Sequence, residues 1–253
     1  MFEQINIKEI VEIARKAGEV IMDIYRKDFS VEYKEDKSPL TEADKKANDV
    51  ITEALAALPV VFPILSEEGR AVPYEVRREW DYFWMVDPLD GTKEFIKKND
   101  EFTVNIALIH KGVPVLGVVY APALGDMYWA KQGEGAFKNT LPLPLEKNHS
   151  PEKELRVVAS KSHLSLETET FIDELRKTTQ ELRFLSKGSS LKLVMVAEGS
   201  ADIYPRMAPT MEWDTAAADA IVREAGKMTY QDQNNTPIIY NKENLLNPWF
   251  IVH

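Results

Sequence analysis

Two pairs of carboxylates stand directly after short apolar segments of the chain. Glu67 and Glu68 follow one such segment, and Asp87 and Asp90 follow the next. Their oxygens, together with the backbone carbonyl of Leu89, are the hard ligands that Mg²⁺ prefers. Packing such charges together without cations would cost several kcal/mol. If the two segments are neighbouring strands, the sequence therefore predicts a divalent metal site where they end.

The residues around Asp90 also suit a phosphate group. Pro88 lacks an N–H and fixes φ, so we expect the strand to stop there and the chain to turn. Gly91 lets the backbone approach a ligand closely, and a short helix predicted from Thr92 to Lys97 would offer its free N–H groups to an anion. Metal ligands beside a phosphate cradle predict phosphoryl transfer, in which catalysis is positioning plus charge neutralisation.

A third acidic element lies far away in the sequence. Asp214 precedes a run of alanines, so we expect it in the first turn of a helix over 214–225, where its charge suits the helix dipole. If the two halves of the chain face each other, Asp214 closes the metal site from the opposite wall. Each motif alone also fits an ordinary turn or helix start, and their order along the chain is what predicts one site.

The amino-acid composition excludes several kinds of ligand and functional site. The chain has 253 residues and a formal net charge of −10. An acidic protein repels nucleic-acid polymers, so we expect a small anionic ligand whose charge metal ions neutralise. The absence of Cys excludes disulfides, Cys-ligated zinc, iron–sulfur clusters and thiol nucleophiles.

The sequence also bears on location and assembly. It contains no secretory signal and no apolar run of membrane-spanning length. We therefore expect a cytoplasmic protein without an integral membrane segment, with peripheral association at the inner membrane as an alternative. The oligomeric state stays open between monomer and homodimer.

The elements that must position these residues follow from periodicity and turn signals. Helices are predicted to begin after Asn6 and Thr41, each of which can act as an N-cap. A mostly antiparallel sheet with helices on one side should follow. Beyond residue 150 we expect alternating strands and helices over 155–159, 166–177, 182–185, 189–198, 201–204 and 214–225. We thus expect an α+β half over 1–150 with the metal and phosphate site, and an α/β half over 151–253 with Asp214 and the ligand contacts.

Two long segments resemble signatures of the inositol monophosphatase superfamily of lithium-sensitive, magnesium-dependent phosphatases. They are 84–92 (WMVDPLDGT) and 212–218 (EWDTAAA). Within the superfamily the sequence is most similar to the bacterial 3′(2′),5′-bisphosphate nucleotidases of the CysQ type, through 36–44 (DKSPLTEAD), 91–97 (GTKEFIK), 101–107 (EFTVNIA) and 245–248 (LLNP). Inositol phosphatases usually have Thr-Asn-Phe where this chain has Lys93-Glu94-Phe95.

The resemblance implies an α/β fold of alternating helix and sheet layers, a sandwich like that of inositol monophosphatase and fructose-1,6-bisphosphatase, with the site between its halves. It implies that two or three Mg²⁺ ions bind, with these ligands: Glu67, Asp87, the Leu89 carbonyl, Asp90 and Asp214. Catalysis is assigned to Glu67 and to Asp44 with Thr92, a pair that positions the attacking water. The implied substrate contacts are Glu67, Leu89, Asp90, Gly91, Thr92, His163, Ser189, Lys192, Arg206 and Asp214.

The function expected from this resemblance is Mg²⁺-dependent hydrolysis of the 3′-phosphate of adenosine 3′,5′-bisphosphate, giving AMP and phosphate. The sulfated form of that nucleotide is a second expected substrate. We expect direct in-line attack by a metal-activated water. Two alternatives remain: an inositol or sugar phosphatase with the same metal site, and a metal-binding regulatory module without turnover.

Overall fold

The computed structural model describes residues 2–34, 39–145, 149–159 and 165–253. Its α-helices are α1 (Ile7–Tyr25), α2 (Glu42–Ala56), α3 (Tyr74–Arg77), α4 (Thr92–Ile96), α5 (Leu166–Arg176), α6 (Leu191–Glu198) and α7 (Ala216–Glu224). Its strands are β1 (Val31–Tyr33), β2 (Pro39–Thr41), β3 (Ile64–Ser66), β4 (Tyr82–Asp90), β5 (Thr103–His110), β6 (Val113–Ala121), β7 (Asp126–Lys131), β8 (Gly135–Lys138), β9 (Leu141–Pro142), β10 (Glu154–Ala159), β11 (Glu181–Ser186), β12 (Tyr204–Arg206), β13 (Thr229–Gln231) and β14 (Phe250–Val252). Short 3-10 helices cover Phe2–Gln4 and Glu212–Asp214.

The first two helices begin where the sequence predicts. The Asn6 side chain accepts a hydrogen bond from the N–H of Lys8 at the start of α1. At the start of α2 the Thr41 hydroxyl accepts from the Ala43 N–H, and the Asp44 carboxylate accepts from the Thr41 N–H. These contacts satisfy donors that have no partner inside the helix, which fixes where each helix starts.

The main sheet runs in the order β3-β4-β5-β6-β7-β8-β9. Its β3–β4 pair is parallel, and the remaining pairs are antiparallel, as expected of a mostly antiparallel sheet. Side chains alternate between two buried faces: Val86 and Ile106 pack in the core that contains α1 and α2, whereas Met85 and Ala107 pack in the core that contains α6 and α7.

Helices α1 and α2 of the first half pack on one side of this sheet, as predicted, but the other side is covered as well. Helix α7, from the C-terminal half of the chain, lies across the second face. At Gly117 of β6 an added Cβ would overlap the carbonyl oxygen of Ala217, so glycine is required for this close approach. Sequence periodicity identifies α7 as a helix, but does not show which surface it covers.

The prediction that Pro88 ends its strand is wrong. Strand β4 pairs with β5 at Asp87 and again at Asp90, with an irregularity in between. Pro88 lies in that irregular part, where its missing N–H interrupts no ladder hydrogen bond. The bulge turns the chain while keeping Asp87 and Asp90 anchored to the same neighbouring strand.

The C-terminal half adds two further layers. Strands β10 and β11 form a parallel pair, and β12-β14-β13 form an antiparallel sheet. Helices α6 and α7 lie between these strands and the main sheet, and α5 packs against β11 and β12. The result is the layered α/β architecture that the sequence predicts. The division of the chain at residue 150 stays a prediction.

Three predicted elements of this half begin two or three residues later than expected. The strand expected over 201–204 begins only at Tyr204, because the N–H groups of Asp202 and Ile203 bond to the Arg156 carbonyl in a loop. The helix expected over 189–198 begins at Leu191. The helix expected over 214–225 begins at Ala216. In the part of the chain that the structure describes, no helix is long and apolar enough to cross a lipid bilayer.

Candidate metal and phosphate site

Parallel strands β3 and β4 carry Glu67 and Asp87 to the same edge of the main sheet. The Glu67 N–H continues the pairing by donating to the Val86 carbonyl at 3.1 Å. Carboxylate oxygens of Glu67, Asp87 and Asp214 all lie within 4.8 Å of one another. Asp214 reaches this point from the 3-10 helix before α7, where its carboxylate accepts from the Met211 N–H at 2.8 Å. It therefore does not lie in the first turn of α7 as predicted.

Asp90 lies beside this cluster and is held from two sides. Its Oδ2 atom accepts a 2.6 Å hydrogen bond from the Ser190 N–H and a 3.4 Å hydrogen bond from Asn105 Nδ2. One residue earlier along the bulge, the Leu89 N–H donates to Asp87 Oδ1 at 3.1 Å. The structure thus brings the predicted carboxylates of both halves to one place, while their role as metal ligands stays a prediction.

Burial and mutual repulsion disfavour the charged form of these acids. Burial raises the pKa of Asp87 well above its ordinary value, and the charges of Glu67, Asp90 and Asp214 raise it further. Burial likewise raises the pKa of Asp214, with the charge of Asp90 next in importance. Burial raises the pKa of Asp90 to about 6, although the nearby Lys192 opposes the shift.

The donor set fits a hard divalent cation. It consists of carboxylate oxygens, with neither sulfur nor imidazole among the described residues of the cluster. Oxygen ligands of this kind suit Mg²⁺, and a cation between the carboxylates would replace their mutual repulsion by attraction.

A lysine that the sequence analysis did not single out also contacts the cluster. Lys34 Nζ lies 2.8 Å from Glu67 Oε1 and 2.5 Å from Glu68 Oε1. Burial lowers the pKa of Lys34, but the two glutamates outweigh burial and leave that pKa raised. Glu68, which the sequence groups with Glu67, pairs with Lys34 and is not one of the three carboxylates that lie closest together.

The predicted pair of Asp44 and Thr92 is in contact. Thr92 Oγ1 donates to Asp44 Oδ1 at 3.2 Å, and the other Asp44 oxygen accepts from Thr41 Oγ1 at 2.6 Å. Thr92 Oγ1 also lies 3.4 Å from the carbonyl oxygen of Leu89. Asp44 is buried, which raises its pKa. This contact joins the start of α2 to the start of α4, next to the acidic cluster.

A cavity opens beside Asp90 and Asp214, lined by Gly91, Glu94, Ser189, Lys192, Tyr204 and Arg206 among others. Lys192 is buried and donates to the Ser189 carbonyl at 2.6 Å. Burial lowers the pKa of Lys192 to about 8, with the charge of Asp90 opposing and that of Arg206 adding to the effect. Two buried polar atoms of this wall, Ser189 Oγ and Arg206 Nε, have no hydrogen-bond partner in the described chain.

Four residues predicted to contact the substrate line this cavity: Gly91, Ser189, Lys192 and Arg206. Gly91 has φ of 91°, a value that glycine adopts readily, and α4 begins at the next residue. His163, predicted as a nucleotide contact, lies outside the described residues. Sequence reasoning missed Lys34, Ser190 and Asn105 as neighbours of the acids. Their positions depend on loops and strand pairing that leave no local pattern in the sequence.

A layered α/β sandwich with a partly buried acidic cluster at the edge of its main sheet defines the class of protein. The chain belongs to the inositol monophosphatase family, whose profile matches residues 4–248. The resemblance found in the sequence is thereby confirmed.

Individual relatives agree with this assignment. The chain is 45% identical over 248 residues to the 3′(2′),5′-bisphosphate nucleotidase CysQ of Salmonella typhimurium, covering 97% of this chain and 98% of the relative. The crystal structure of CysQ from Bacteroides thetaiotaomicron superposes with a TM-score of 0.89 at 48% identity, covering 98% of this chain and 96% of that one. Extragenic suppressor protein suhB from Bartonella henselae superposes with a TM-score of 0.79 at 27% identity, covering 97% and 92% of the two chains.

Proposed function

We propose that this protein is a Mg²⁺-dependent 3′(2′),5′-bisphosphate nucleotidase that hydrolyses the 3′-phosphate of adenosine 3′,5′-bisphosphate to AMP and phosphate. The sulfated form of the nucleotide is the second substrate of the proposal. Support comes from relatives that are named 3′(2′),5′-bisphosphate nucleotidase CysQ and are 44–45% identical over nearly the whole chain. We also place the protein in the cytoplasm, as expected from its sequence, with peripheral contact at the inner membrane as the alternative.

One structural observation carries the proposal: carboxylates of the acidic site and two cationic side chains line the same cavity. Asp90 and Asp214 line it together with the buried Lys192 and the partly exposed Arg206. A buried cation without an ion-pair partner is costly, and a phosphate can form charge-assisted hydrogen bonds with both lysine and arginine. A ligand with two separate phosphates can serve the metal-binding carboxylates and the two cations at once.

The proposed metal site is the acidic cluster. We propose that Glu67, Asp87, the Leu89 carbonyl, Asp90 and Asp214 hold two or three Mg²⁺ ions. Bound Mg²⁺ supplies charge neutralisation at the phosphoryl group and activation of water.

The chain's own residues orient the reactants. We propose that the N–H groups of Gly91 and Thr92, at the start of α4, bind oxygens of the 3′-phosphate. The Thr92 hydroxyl donates to Asp44, which leaves its lone pairs to accept a hydrogen bond from the attacking water. We propose that Glu67, in the acidic cluster, acts in catalysis together with this pair. In this proposal water attacks in line with the leaving ribose oxygen, and no phosphoenzyme forms.

Ser189, Lys192 and Arg206 form the proposed 5′-phosphate subsite, together with His163 from outside the described residues. Ser189 Oγ and Arg206 Nε are buried donors without a described partner, so an anion gives each of them a hydrogen bond. An inositol or sugar monophosphatase would use the same acidic cluster but would leave Lys192 and Arg206 without a phosphate to bind. That difference favours the bisphosphate.

The test is a phosphate-release assay on four substrates: adenosine 3′,5′-bisphosphate, adenosine 3′-monophosphate, inositol 1-phosphate and fructose 1,6-bisphosphate. We expect kcat/KM for the adenosine bisphosphate to exceed that for each other substrate at least about tenfold, the value of one charge-assisted phosphate contact. EDTA should abolish release. A faster reaction with inositol 1-phosphate would overturn the proposal, and binding without release would support the regulatory alternative.

A further inference from the structure

Glu94 is a carboxylate in a cavity proposed to bind a polyanion. It lies in α4 and lines the same cavity as Lys192 and Arg206. Its side chain passes between Gly91 and Gly188: an added Cβ at Gly91 would lie 3.4 Å from Glu94 Oε2, and one at Gly188 would lie 2.8 Å from Glu94 Cγ. The lack of side chains at these two glycines leaves the space that Glu94 occupies.

The Glu94 carboxylate has no hydrogen-bond or ion-pair partner among the described residues, although it is only partly exposed. It is close enough to Lys192 and Asp90 for its charge to affect the pKa of both. A carboxylate only accepts hydrogen bonds, and near two phosphate subsites it repels the ligand unless the ligand brings a donor. A substrate bound beside Glu94 therefore needs a neutral hydrogen-bond donor that faces this carboxylate.

The place of Glu94 in the cavity identifies that donor. Gly91 belongs to the segment proposed to hold the 3′-phosphate, and Lys192 belongs to the 5′-phosphate subsite. In the proposed binding mode the ribose connects these two phosphate contacts, and Glu94 lines the same cavity as Gly91 and Lys192. The ribose has one hydroxyl that is not phosphorylated, on the carbon next to the 3′-phosphate.

We propose that Glu94 accepts a hydrogen bond from the free 2′-hydroxyl of the ribose and thereby selects ribonucleotide over deoxyribonucleotide bisphosphates. This inference rests on the proposed function and adds a specificity-determining residue to it. A site that offers a carboxylate to a hydroxyl discriminates against a substrate that lacks the hydroxyl, because the carboxylate is then left facing the phosphates without a donor.

The experiment compares adenosine 3′,5′-bisphosphate with 2′-deoxyadenosine 3′,5′-bisphosphate in the wild-type protein, Glu94→Ala and Glu94→Gln. We expect the wild type to prefer the ribonucleotide in kcat/KM by roughly 10- to 100-fold, the usual value of a hydrogen bond to a charged group. Glu94→Ala should bring the ratio close to one by slowing the ribonucleotide and leaving the deoxyribonucleotide unchanged or faster. Glu94→Gln keeps an acceptor oxygen and should retain part of the preference.

Glu79→Ala, which removes an exposed carboxylate near α3, is the matched control and should keep the wild-type ratio. An unchanged ratio in Glu94→Ala, or an equal loss on both substrates, would overturn the role of Glu94 while leaving the nucleotidase intact. A wild-type protein that releases no phosphate from either nucleotide would overturn the proposed function and this inference with it.

Discussion

The backbone N–H of Ser190 donates a 2.6 Å hydrogen bond to Oδ2 of Asp90, a residue 100 positions earlier in the chain. The Ser190 hydroxyl continues the link, 2.9 Å from Asn105 Oδ1 and 2.8 Å from Thr103 Oγ1. The loop before α6 thus fixes a predicted metal ligand on β4 and the strand next to it. The geometry of the acidic cluster depends on the two halves of the chain being packed together.

Ser190→Ala tests this link. The substitution leaves the N–H bond to Asp90 but removes a buried hydroxyl, so Thr103 and Asn105 each lose a partner. We expect the free energy of unfolding to fall by about 1–3 kcal/mol, the cost of buried groups left unsatisfied. Denaturant titration measures the loss. Ser200→Ala, which removes a less buried hydroxyl bonded to Glu198, is the control. Equal stability of Ser190→Ala and wild type would show that the link contributes nothing.

Asp87→Asn separates the chemistry of the site from the stability of the fold. Asp87 is buried among Glu67, Asp90 and Asp214, so the neutral amide relieves repulsion in the metal-free protein. We therefore expect a higher Tm than wild type in EDTA. Loss of a metal ligand should lower kcat at least about 10³-fold, as for other removed electrostatic stabilisers. Phosphate-release assays and thermal melts measure the two effects. Normal turnover in this variant would refute the assignment of Asp87.

The raised pKa of Asp90 predicts an unusual pH dependence of stability. The folded protein holds the Asp90 proton up to about pH 6, whereas the unfolded chain releases it near the ordinary pKa of 3.8. Between these pH values the folded state binds more protons, so the free energy of unfolding falls as the pH rises. In EDTA we expect Tm to decline from pH 4 to pH 7.

Two comparisons assign that decline to the cluster. Asp90→Asn cannot titrate at this position, so its Tm should decline less over the same pH range. Mg²⁺ binds the charged carboxylates and should flatten the wild-type curve, since a ligand stabilises the state that binds it. A wild-type Tm that rises with pH in EDTA would contradict the expected protonation of the cluster.

Most of the layered fold follows from local signals in the sequence. The caps at Asn6 and Thr41, the helical spacing after them and the alternation of buried side chains in the strands all act over a few residues. The bulge at Pro88 could not be predicted from local signals, because whether a proline stops a strand or sits in a bulge depends on the partner strand. The packing of α7 on the main sheet could not be predicted either, because it joins distant parts of the chain.

The acidic cluster was predictable because carboxylates at the ends of neighbouring strands meet at one edge of a sheet. Glu67 and Asp87 meet in this way, and Asp214 reaches them from the C-terminal half, as expected if the two halves of the chain face each other. Lys34 was not predictable, because no spacing rule links a lysine after a short strand to the end of another strand. The environment of Glu94 was not predictable either, because Gly188, which borders its side chain, comes from a distant part of the chain.

Lys192 gives the activity a limit at high pH. Burial lowers its pKa to about 8, so the ammonium proposed to bind the 5′-phosphate loses its charge as the pH rises through that value. We expect kcat/KM for adenosine 3′,5′-bisphosphate to decline above pH 8, because this parameter reports ionisations of the free enzyme. Adenosine 3′-monophosphate has no 5′-phosphate and should show no such decline.

Lys192→Arg should move the decline to higher pH, and Lys192→Gln should remove it together with most of the activity. A decline that persists in Lys192→Gln would assign the ionisation to another group.

Lys34 sets the affinity of the acidic cluster for cations. Its ammonium group contacts Glu67 Oε1 at 2.8 Å, and a metal ion that binds this oxygen must compete with it. Lys34→Met removes both the competitor and a positive charge, and both changes favour a cation. We expect the Kd for Mg²⁺, measured by calorimetry, to fall about fivefold, which corresponds to a partly exposed ion pair of about 1 kcal/mol. Lys45→Met, which breaks an exposed pair with Glu32, is the control and should leave the Kd unchanged. Weaker Mg²⁺ binding in Lys34→Met would mean that Lys34 supports the cation site instead of competing for it.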